Sequence, residues 1–424
     1  MLVKQRIPQP FSLAKHPRDA YNKLMKVNVE FLDMDPIENV ITCLNYKMDK
    51  VVYFGYPEVI AHYRDMTEEF LRKYCGVEDI CFYEVSEHDL DDIEETIEAA
   101  IRLEKEAGND IYVDVTGGES LVLVAFGVFA ASMEIPMHAY DINAGTFLPL
   151  DRHATYSIED SCEKQDVPFD LDAYIALYGG QVNYRLHKGL KSVTTEEQAD
   201  EIDAMWDVMM RHAADWNRFS NYLKNSEEAE FLSIERTLTV KPPKFARENS
   251  MELYTFYDIL DDCEKAGLLY DVHHDADHYG YSYKNSTIRD CFWDAGSILE
   301  LHTYLVARQY GEDCRIGLHL DWDGVIHNQP DEDTTNEIDV LLLHGYCPVF
   351  ISCKNGHVKK DALYELETVA NRFGGKHAKK VLVATKDLTQ SDYLRAKEMG
   401  IIVISSGRDP KLEKLGRKLL HKTT

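Results

Sequence analysis

The sequence predicts an α/β protein in which two sheet-containing units are joined by a largely helical connector. Three patterns support this fold class. Apolar strand-like runs alternate with helical stretches in the first part of the chain, amphipathic helical segments and a short β-ribbon follow, and a second mixture of strands and helices ends the chain. Strands that alternate with long helices are typical of a mostly parallel, doubly wound sheet. We place the N-terminal unit at 1–180, the connector at 181–283 and the C-terminal unit at 284–424.

The N-terminal unit shows the alternation most clearly. We predict strands at 27–32, 51–54, 80–83, 111–115 and 137–140, and helices at 37–47, 58–74, 90–105 and 119–133. The longest apolar run, 121–133, is too short to span a bilayer, and we expect it to form a buried helix.

The connector has a different composition. We predict helical structure at 196–224, where an apolar stripe is typical of core or dimer packing, and a helix at 251–266 that ends at Gly267. Two strand-like runs, 268–272 and 279–283, then form a ribbon, so that this part resembles a winged-helix module. The histidines and aspartates at 273–278 are potential metal ligands, but a solvated ribbon tip is the expected structure.

In the C-terminal unit we predict helices at 298–308, 363–373 and 391–399, and strands at 315–321, 338–343, 349–354, 380–384 and 401–405. A turn with Gly and Pro joins 338–343 to 349–354 in a hairpin. If this hairpin is symmetric about Tyr346 and Cys347, Asp339 lies opposite Lys354 and Leu341 lies opposite Ser352.

Asp339 and Lys354 would place a carboxylate and an ammonium together at the end of an apolar ladder. Such a pair can hold a divalent metal through the acid and a water or phosphate oxygen through the base. The order of elements over 287–406 resembles the PD-(D/E)xK nuclease fold, whose helix would contribute Glu300. The resemblance implies Mn²⁺ or Mg²⁺ held by Glu300, Asp339 and the Cys353 carbonyl, with Lys354 orienting a water. One catalytic position departs from the family, because Ser352 replaces the usual acid.

A second candidate site is the turn Thr116-Gly117-Gly118-Glu119-Ser120, which leaves a strand and opens a helix. Ligands on doubly wound sheets bind beyond the carboxyl ends of the strands, and a helix N-terminus offers free N–H groups to a phosphate. The chain has no G-x-G-x-x-G and no Walker lysine, which argues against a dinucleotide or NTPase site.

This turn, placed before a PD-(D/E)xK unit, resembles the CARF-domain nucleases of type III CRISPR defence. The resemblance implies a Rossmann-like sensor, a homodimer, and cyclic tetra-adenylate as the activating cyclic oligoadenylate. It also implies that the loops at 33–36, 55–57 and 141–145 complete the ligand pocket. The predicted ligand contacts are Asp35, Tyr56, Thr116, Gly117, Gly118, Glu119, Ser120 and Asn143. Glu119 and Ser120 depart from related turns, which place a lysine there, and this bears on any cleavage of the ligand.

Composition sets the remaining expectations. The 424 residues carry a net charge of −28, yet 354–424 hold 16 Lys and Arg against 8 Asp and Glu. Six of these basic residues are candidates for a phosphate track on a nucleic acid, namely Lys359, Lys360, Arg372, Lys376, Lys379 and Lys380. Nine cysteines without a C-x-x-C pair, and the lack of an apolar leader, favour a cytoplasmic protein with no membrane partner.

Two other functions remain open at this point. The first is a ligand-responsive transcription regulator that uses the winged-helix-like segment, although 251–266 is too acidic for a good DNA-binding helix. The second is a non-catalytic sensor that recruits a partner. The sequence also leaves open whether DNA, RNA or both are cut, whether strands are nicked or broken, the ring size of the activator, and whether the chain degrades it.

Overall fold

The structure, a computed structural model, describes residues 24–150, 156–186, 193, 195–226, 237–241, 245–246, 253–327, 334–405 and 412–420.

The N-terminal unit contains the predicted doubly wound sheet. Its strands are β1 (Lys26–Phe31), β2 (Lys50–Gly55), β3 (Asp79–Glu84), β4 (Asp110–Asp114), β5 (Met137–Asp141) and β6 (Thr146–Pro149). They lie in the order β3-β2-β1-β4-β5-β6, and all pairs are parallel except β5 with β6. The carboxyl ends of β1 and β4 therefore meet at the middle of one edge, where the order reverses and ligands typically bind.

The helices of this unit are α1 (Ile41–Asn45), α2 (Pro57–Phe70), α3 (Leu90–Glu106), α4 (Ser120–Met133), α5 (Ile158–Ser161) and α6 (Leu171–Leu177), and a π-helical turn (Leu71–Cys75) continues α2. The predicted helix at 37–47 was wrong in its first half, because only α1 forms. Asn39 explains the difference. Its side chain accepts a hydrogen bond from the Asp33 N–H (2.7 Å) and donates one to the Asp33 carbonyl (2.9 Å), so that a local side-chain bond replaces helix.

Helix α4 was also expected to be buried, and this was wrong for one face. Val122, Ala125, Phe126 and Ala130 are buried, whereas Leu121 is 38%, Val124 55% and Val128 58% exposed. These three exposed residues form one stripe along the helix, because residues three to four apart lie on the same side. Among the described residues, no helix is long and apolar enough to cross a membrane.

The connector contains β7 (Gln181–Val182), α7 (Glu196–Arg211), α8 (Trp216–Ser226), β8 (Thr237–Val240), β9 (Phe245–Ala246), β10 (Leu253–Tyr254), α9 (Tyr257–Lys265), β11 (Leu269–His274) and β12 (His278–Tyr283). The predicted ribbon is confirmed as β11 and β12, and β8 adds a third strand to it. The predicted helix at 251–266 is shorter, since α9 begins at Tyr257 and residues 251–252 lie outside the described ranges. At the ribbon tip, Asp275 accepts hydrogen bonds from the N–H groups of Asp277 and His278.

The C-terminal unit contains α10 (Ser286–Trp293), α11 (Ser297–Ala307), β13 (Asp313–Asp321), β14 (Thr335–His344), β15 (Cys347–Lys354), α12 (Lys360–Gly374), a 3₁₀ turn (Gly375–His377), β16 (Lys379–Ala384), α13 (Gln390–Glu398), β17 (Ile401–Ser405) and α14 (Glu413–Leu420). Its sheet has the order β17-β16-β15-β14-β13-β7. Strand β7 from the connector thus forms the edge of this sheet, where Val182 pairs with Leu320.

The C-terminal sheet packs a different partner on each face. Leu341 and Leu343 belong to a core shared with the N-terminal unit, while Val340 and Leu342 belong to a core shared with the connector. Alternate residues of a strand point to opposite faces, so β14 is buried on both sides. This arrangement places the C-terminal sheet between the other two units.

Candidate active site and ligand cavity

Asp339 is the centre of a polar cluster on the C-terminal sheet. Its Oδ2 atom accepts hydrogen bonds from the Cys353 N–H (2.5 Å), the Ser352 hydroxyl (3.2 Å) and the Lys354 ammonium (3.2 Å). The Asp339 side chain is 14% exposed and that of Lys354 is 35% exposed. Burial alone would lower the pKa of Lys354, but the Asp339 carboxylate outweighs it and raises this pKa above its ordinary value. Lys354 therefore stays charged next to its carboxylate.

The register of the hairpin differs from the prediction by two residues. Leu341 lies opposite Phe350 and not opposite Ser352, and the last pair before Asp339 is Val340 with Ile351. The cause is the two-residue turn between His344 and Cys347, which pair with each other. A shift by two leaves every side chain on its predicted face. The meeting of Asp339 with Ser352 and Lys354 therefore survives the error.

Glu300, in the first turn of α11, faces the same cluster. Burial first, and then the charges of Asp339, Asp294 and Glu337, raise the pKa of Glu300 to about 8, which Lys354 partly opposes. The helix predicted to supply this residue is confirmed as α11. The site thus holds more negative charge than Lys354 can balance, and a proton or a cation has to balance the remainder.

The donor set for a metal is small. Among the described residues, no group of three or more His, Cys, Asp or Glu side chains could hold a metal ion. The chain offers two carboxylates, Glu300 and Asp339, and the backbone carbonyl of Cys353 remains a predicted third ligand. The Cys353 thiol does not qualify, because it points into the protein, where burial raises its pKa well above the ordinary value. Hard carboxylate oxygens in an electronegative site fit Mg²⁺ or Mn²⁺.

The sequence analysis missed Gly317, which lies beside this cluster. Its neighbours Ile316 and Leu318 pair with Val340 and Ile338, so that Gly317 lies opposite Asp339. Its φ of 61° is in the left-handed region, which a side chain disfavours. A glycine within an apolar strand often marks the close approach of a ligand, and this signal was available in the sequence.

The N-terminal unit contains a cavity of about 730 Å³ at the edge where β1 and β4 end. It is lined by Phe31, Asp33, Met34, Tyr56, Glu58, Val59, His62, Tyr63, Glu87, His88, Glu119, Ser120 and Leu121. Three predicted ligand contacts, Tyr56, Glu119 and Ser120, are among these residues. Burial, and then the charges of Glu119 and Glu87, raise the pKa of the Tyr56 hydroxyl. No described lining residue is a lysine or an arginine.

Gly117 and Gly118 form the turn that borders this cavity. A Cβ atom at position 117 would lie 2.7 Å from Oε2 of Glu38, and one at position 118 would lie 2.9 Å from Cδ2 of Leu123. Gly118 also has a φ of 132°. Both positions therefore require glycine, and the cause is close packing as well as the backbone conformation.

The other predicted contacts have structural partners. The Thr116 N–H donates to Asp114 (2.7 Å), and the Thr116 hydroxyl accepts from the Tyr140 N–H (2.8 Å), which ties the turn to β5. Asn143 is exposed in the turn between β5 and β6, outside the residues that line the cavity. Asp35 is 5% exposed and lies in a different place from the one we predicted.

Asp35 belongs to an acidic contact between the N-terminal and C-terminal units. It accepts hydrogen bonds from the Tyr178 hydroxyl and from the Lys376 N–H (2.9 Å). Glu38 forms an ion pair with the Lys376 ammonium (2.6 Å), and its Oε1 atom lies within hydrogen-bond distance of Nε2 of His377 (2.8 Å). We call Asp33, Asp35, Glu38, Lys376 and His377 the interunit cluster.

Asp33 connects the interunit cluster to the cavity. Its Oδ2 atom accepts a hydrogen bond from the Gly118 N–H (3.0 Å), and its Oδ1 atom lies 3.8 Å from the Lys376 ammonium. One carboxylate thus contacts the turn Thr116–Ser120 on one side and the 3₁₀ turn before β16 on the other. The sequence indicated the loop at 33–36, but not this role for Asp33.

The predicted phosphate track divides into two groups. Lys359 and Lys360 are exposed at the start of α12. Arg372 donates to the carbonyls of Tyr178 and Trp322, while Lys376 contacts the N-terminal unit and Lys380 contacts Glu367. Lys379 also has a partner. Lys359 and Lys360 remain the best placed of the six to meet a substrate.

Comparison with known proteins adds independent evidence. Residues 289–421 match the family of the Card1-like endonuclease domain. The fold is similar to that of protein VC1899 from Vibrio cholerae, with a TM-score of 0.65 and 16% identity. The matched region covers 93% of this chain and 97% of that one. It is also similar to Can2 from Sulfobacillus thermosulfidooxidans in complex with cyclic tetra-adenylate, with a TM-score of 0.63 and 15% identity, and covers 93% and 97% of the two chains. No curated protein matches the sequence.

Because their sequence identities are low, the two solved structures are evidence for the fold alone. They confirm the predicted α/β fold, in which a Rossmann-like unit is followed by a connector and a second sheet-containing unit. Residues 289–421 are therefore similar to the Card1-like endonuclease domain, and the fold of the chain agrees with the resemblance to the CARF-domain PD-(D/E)xK nucleases.

Proposed function

We propose that the chain is a cytoplasmic, homodimeric and metal-dependent endonuclease, which cyclic tetra-adenylate activates to cleave DNA or RNA in CRISPR defence. The observation that carries the proposal is the contact of Asp339 with Lys354 at 3.2 Å, beside Glu300, inside an endonuclease-family domain. An acid pair and a lysine at the end of a sheet supply the groups that phosphodiester hydrolysis needs.

The residues of the chain have separate roles in this chemistry. Glu300 and Asp339 would hold Mg²⁺ or Mn²⁺, which supplies an activated water and offsets charge on the phosphate when it is bound. Lys354 orients the water and stabilises the negative charge that develops on the phosphate oxygens. Ser352, in the position of the usual acid, donates to Asp339 and so fixes the carboxylate without adding charge.

The activator would bind at the turn Thr116–Ser120. Can2, whose fold is similar, was solved with cyclic tetra-adenylate. The cavity beside this turn offers Tyr56 and Tyr63 as aromatic surfaces for a base and the N-terminus of α4 for a phosphate. A ring with twofold symmetry suits an isologous dimer, in which each subunit binds half of it.

The exposed stripe of α4 supports the dimer. Leu121, Val124 and Val128 are each at least 38% exposed, and Leu121 lies at the cavity. An apolar stripe next to the ligand would be buried if two copies of α4 packed together across the axis. Binding of the ring would then favour the arrangement in which both C-terminal units form one substrate groove.

The transcription-regulator alternative depends on α9. In this helix Asp258, Asp261, Asp262 and Glu264 outnumber Lys265, and such a surface repels a phosphate backbone. The non-catalytic sensor alternative requires that the activator binds but no nucleic acid is cut.

The test is a cleavage assay with supercoiled plasmid and with single-stranded RNA, in Mn²⁺, with and without cyclic tetra-adenylate. We expect wild type to cut much faster with the activator than without it, and Lys354→Ala not to cut. Lys397→Ala, which changes an exposed lysine on α13, should cut like wild type. If the activator binds and wild type cuts neither substrate, the protein is a sensor and the absence of an acid at position 352 becomes the leading explanation.

A further inference from the structure

Asn355 directly follows Lys354 and its amide joins three other parts of the chain. Its Nδ2 atom donates to Oδ1 of Asn217 (2.9 Å) and to the carbonyl of Ala295. Its Oδ1 atom accepts from the hydroxyl of Thr385 (2.9 Å), at the end of β16. The residue next to the candidate catalytic lysine is therefore held by both ends of its amide.

Asn217 comes from the connector, in the first turn of α8. Its own Nδ2 atom donates to the backbone carbonyl of Asn355 (3.2 Å). The two asparagines thus form a reciprocal pair, in which each donates to the other and each accepts. This pair fixes the backbone as well as the side chain at position 355, and it brings the connector to the carboxyl end of β15.

The same hydrogen-bond network connects the segments that carry Lys354 and Glu300. Ala295, which accepts from Asn355, lies in the link that leads from α10 into α11, the helix that carries Glu300. On the other side, the Thr385 N–H donates to the Lys354 carbonyl (3.2 Å), and the Thr385 hydroxyl accepts from the Gly356 N–H (2.8 Å). Asn355 therefore links the strand that ends in Lys354 to the helix that begins near Glu300.

We propose that Asn217 and Asn355 are positioning residues, with which the connector holds Lys354 and Glu300 at the separation that catalysis requires. This inference rests on the proposed nuclease function. Asn217 is exposed, so its removal has little effect on the stability of the fold. A small displacement of a catalytic group lowers the rate much more, because the reaction depends on the alignment of the reacting atoms.

The test uses the full-length chain with Asn217→Ala, Asn355→Ala and the double substitution. The matched control is Asn221→Ala, one helical turn along α8, where the side chain is exposed and makes no contact with Asn355. Two quantities are measured: kcat and KM for activated cleavage, and the rate of hydrogen exchange at the Gly356 amide without metal or nucleic acid.

We expect Asn217→Ala to lower kcat roughly tenfold with KM little changed, and to speed exchange at Gly356. If the two residues act through their mutual contact, the double variant should be no slower than Asn355→Ala alone. Asn221→Ala should behave like wild type in both measurements.

Two outcomes would overturn the inference: wild-type kcat and exchange in Asn217→Ala, or losses that multiply in the double variant. A wild type that does not cleave would instead contradict the proposed function. In that case the exchange rate at Gly356 still decides whether Asn217 orders the segment after Lys354. Asn355→Ala removes partly buried contacts and could fold poorly. In that case Asn217→Ala, which changes an exposed residue, is the variant that tests the inference.

Discussion

The protein has two candidate sites at sheet edges, by which we mean the ends of a sheet where strands finish. Both are rich in carboxylates, but among the described residues only one of them includes a lysine. On the C-terminal sheet, beside the end of β15, the Asp339 carboxylate accepts hydrogen bonds from a lysine and from a backbone N–H within 3.2 Å. The cavity at the edge of the N-terminal sheet is lined by four carboxylates and two histidines, and by no described lysine or arginine. The charges of the proposed catalytic site are therefore assembled within one chain.

The cavity at the N-terminal edge does not form a complete anion site, because its described lining offers no lysine or arginine side chain. A cyclic oligoadenylate carries one phosphate for each nucleotide, and Asp33, Glu58, Glu87 and Glu119 would repel it. The backbone N–H groups of the turn and a second copy of the chain have to supply the attraction. Under the proposed function, this difference predicts that one chain supplies the groups for cleavage, whereas recognition of the activator needs a second copy of the chain.

The largest expected effect is a loss of cleavage without a loss of activator affinity. Asp339→Ala or Lys354→Ala should lower activated cleavage by about 10³-fold or more, because each removes a group that acts on the reacting phosphate. Activator affinity, measured by calorimetry, should stay within about twofold of wild type. Full cleavage in either variant would contradict the assignment of the site, and a loss of activator binding would show that the edges are not independent.

Gly118→Ala should affect activator binding at the N-terminal edge. The new methyl group would lie 2.9 Å from Leu123 in a backbone with a φ of 132°, so the turn has to move. We expect the activator concentration for half-maximal cleavage to rise about tenfold, while the maximal rate is retained. The control is Gly76→Ala, which has a φ of 70° but no atom within 4 Å of the added methyl group. If both variants shift equally, general strain is the cause and the turn is not the ligand site.

Local patterns in the sequence predicted most of this arrangement. The alternation of strands and helices gave the N-terminal sheet, and the spacing of Asp339, Ser352 and Lys354 brought these residues together despite the wrong register. The register was wrong because the prediction centred the turn on Tyr346 and Cys347. Gly345 and Tyr346 instead form a two-residue turn, in which glycine often takes the first position.

The long-range contacts could not be predicted in this way. Asp35 was expected at the ligand, yet its partner Lys376 lies in another unit, and nothing near Asp35 in the sequence indicates that contact. Asn39 likewise shortened α1 through a bond to Asp33 that helical periodicity does not reveal. Packing between units decides the contact of Asp35, whereas the bond of Asn39 is a local competitor of the helix, and the periodicity of the sequence records neither.

Glu300→Gln should stabilise the metal-free protein, which would show the excess negative charge at the catalytic edge. The unfolded chain ionises Glu300 near its ordinary pKa of 4.5, whereas the folded chain retains the proton up to about pH 8. The free energy of unfolding of wild type therefore falls as pH rises between these values. Since glutamine does not titrate, the variant should gain on the order of 3 kcal/mol at pH 7.

Denaturant unfolding at pH 5, 7 and 9 measures this difference. It should grow from pH 5 to pH 7 and become constant above pH 8. Glu365→Gln, on the exposed face of α12, is the control and should change little. A gain that is the same at every pH would mean that Glu300 is already ionised in the folded protein.

The smallest expected effect tests how the two edges communicate. Lys376→Met removes the ion pair with Glu38 (2.6 Å) and the positive charge near Asp33 (3.8 Å). An anionic activator at the Gly118 N–H would compete with the Asp33 carboxylate and drive it toward Lys376, which precedes β16 and its pairing with β15. Without that lysine, the ratio of activated to basal cleavage should fall about threefold, in keeping with a partly exposed ion pair.

The effect of Lys376→Met must be on coupling and not on either edge alone. Activator affinity and basal metal-dependent cleavage should therefore both stay close to wild type, and Lys397→Met should change none of the three quantities. Asp33→Asn adds a second test, since its amide oxygen can keep the hydrogen bond from Gly118 while the charge that responds to Lys376 is removed. The hydrogen bond from the Asp35 N–H to Oδ1 is lost in this variant. If Asp33→Asn lowers the activation ratio in wild type but not in the Lys376→Met background, the two groups act in one path. If the losses multiply, the activator reaches the nuclease site by another route, and the dimer interface at α4 becomes the place to look.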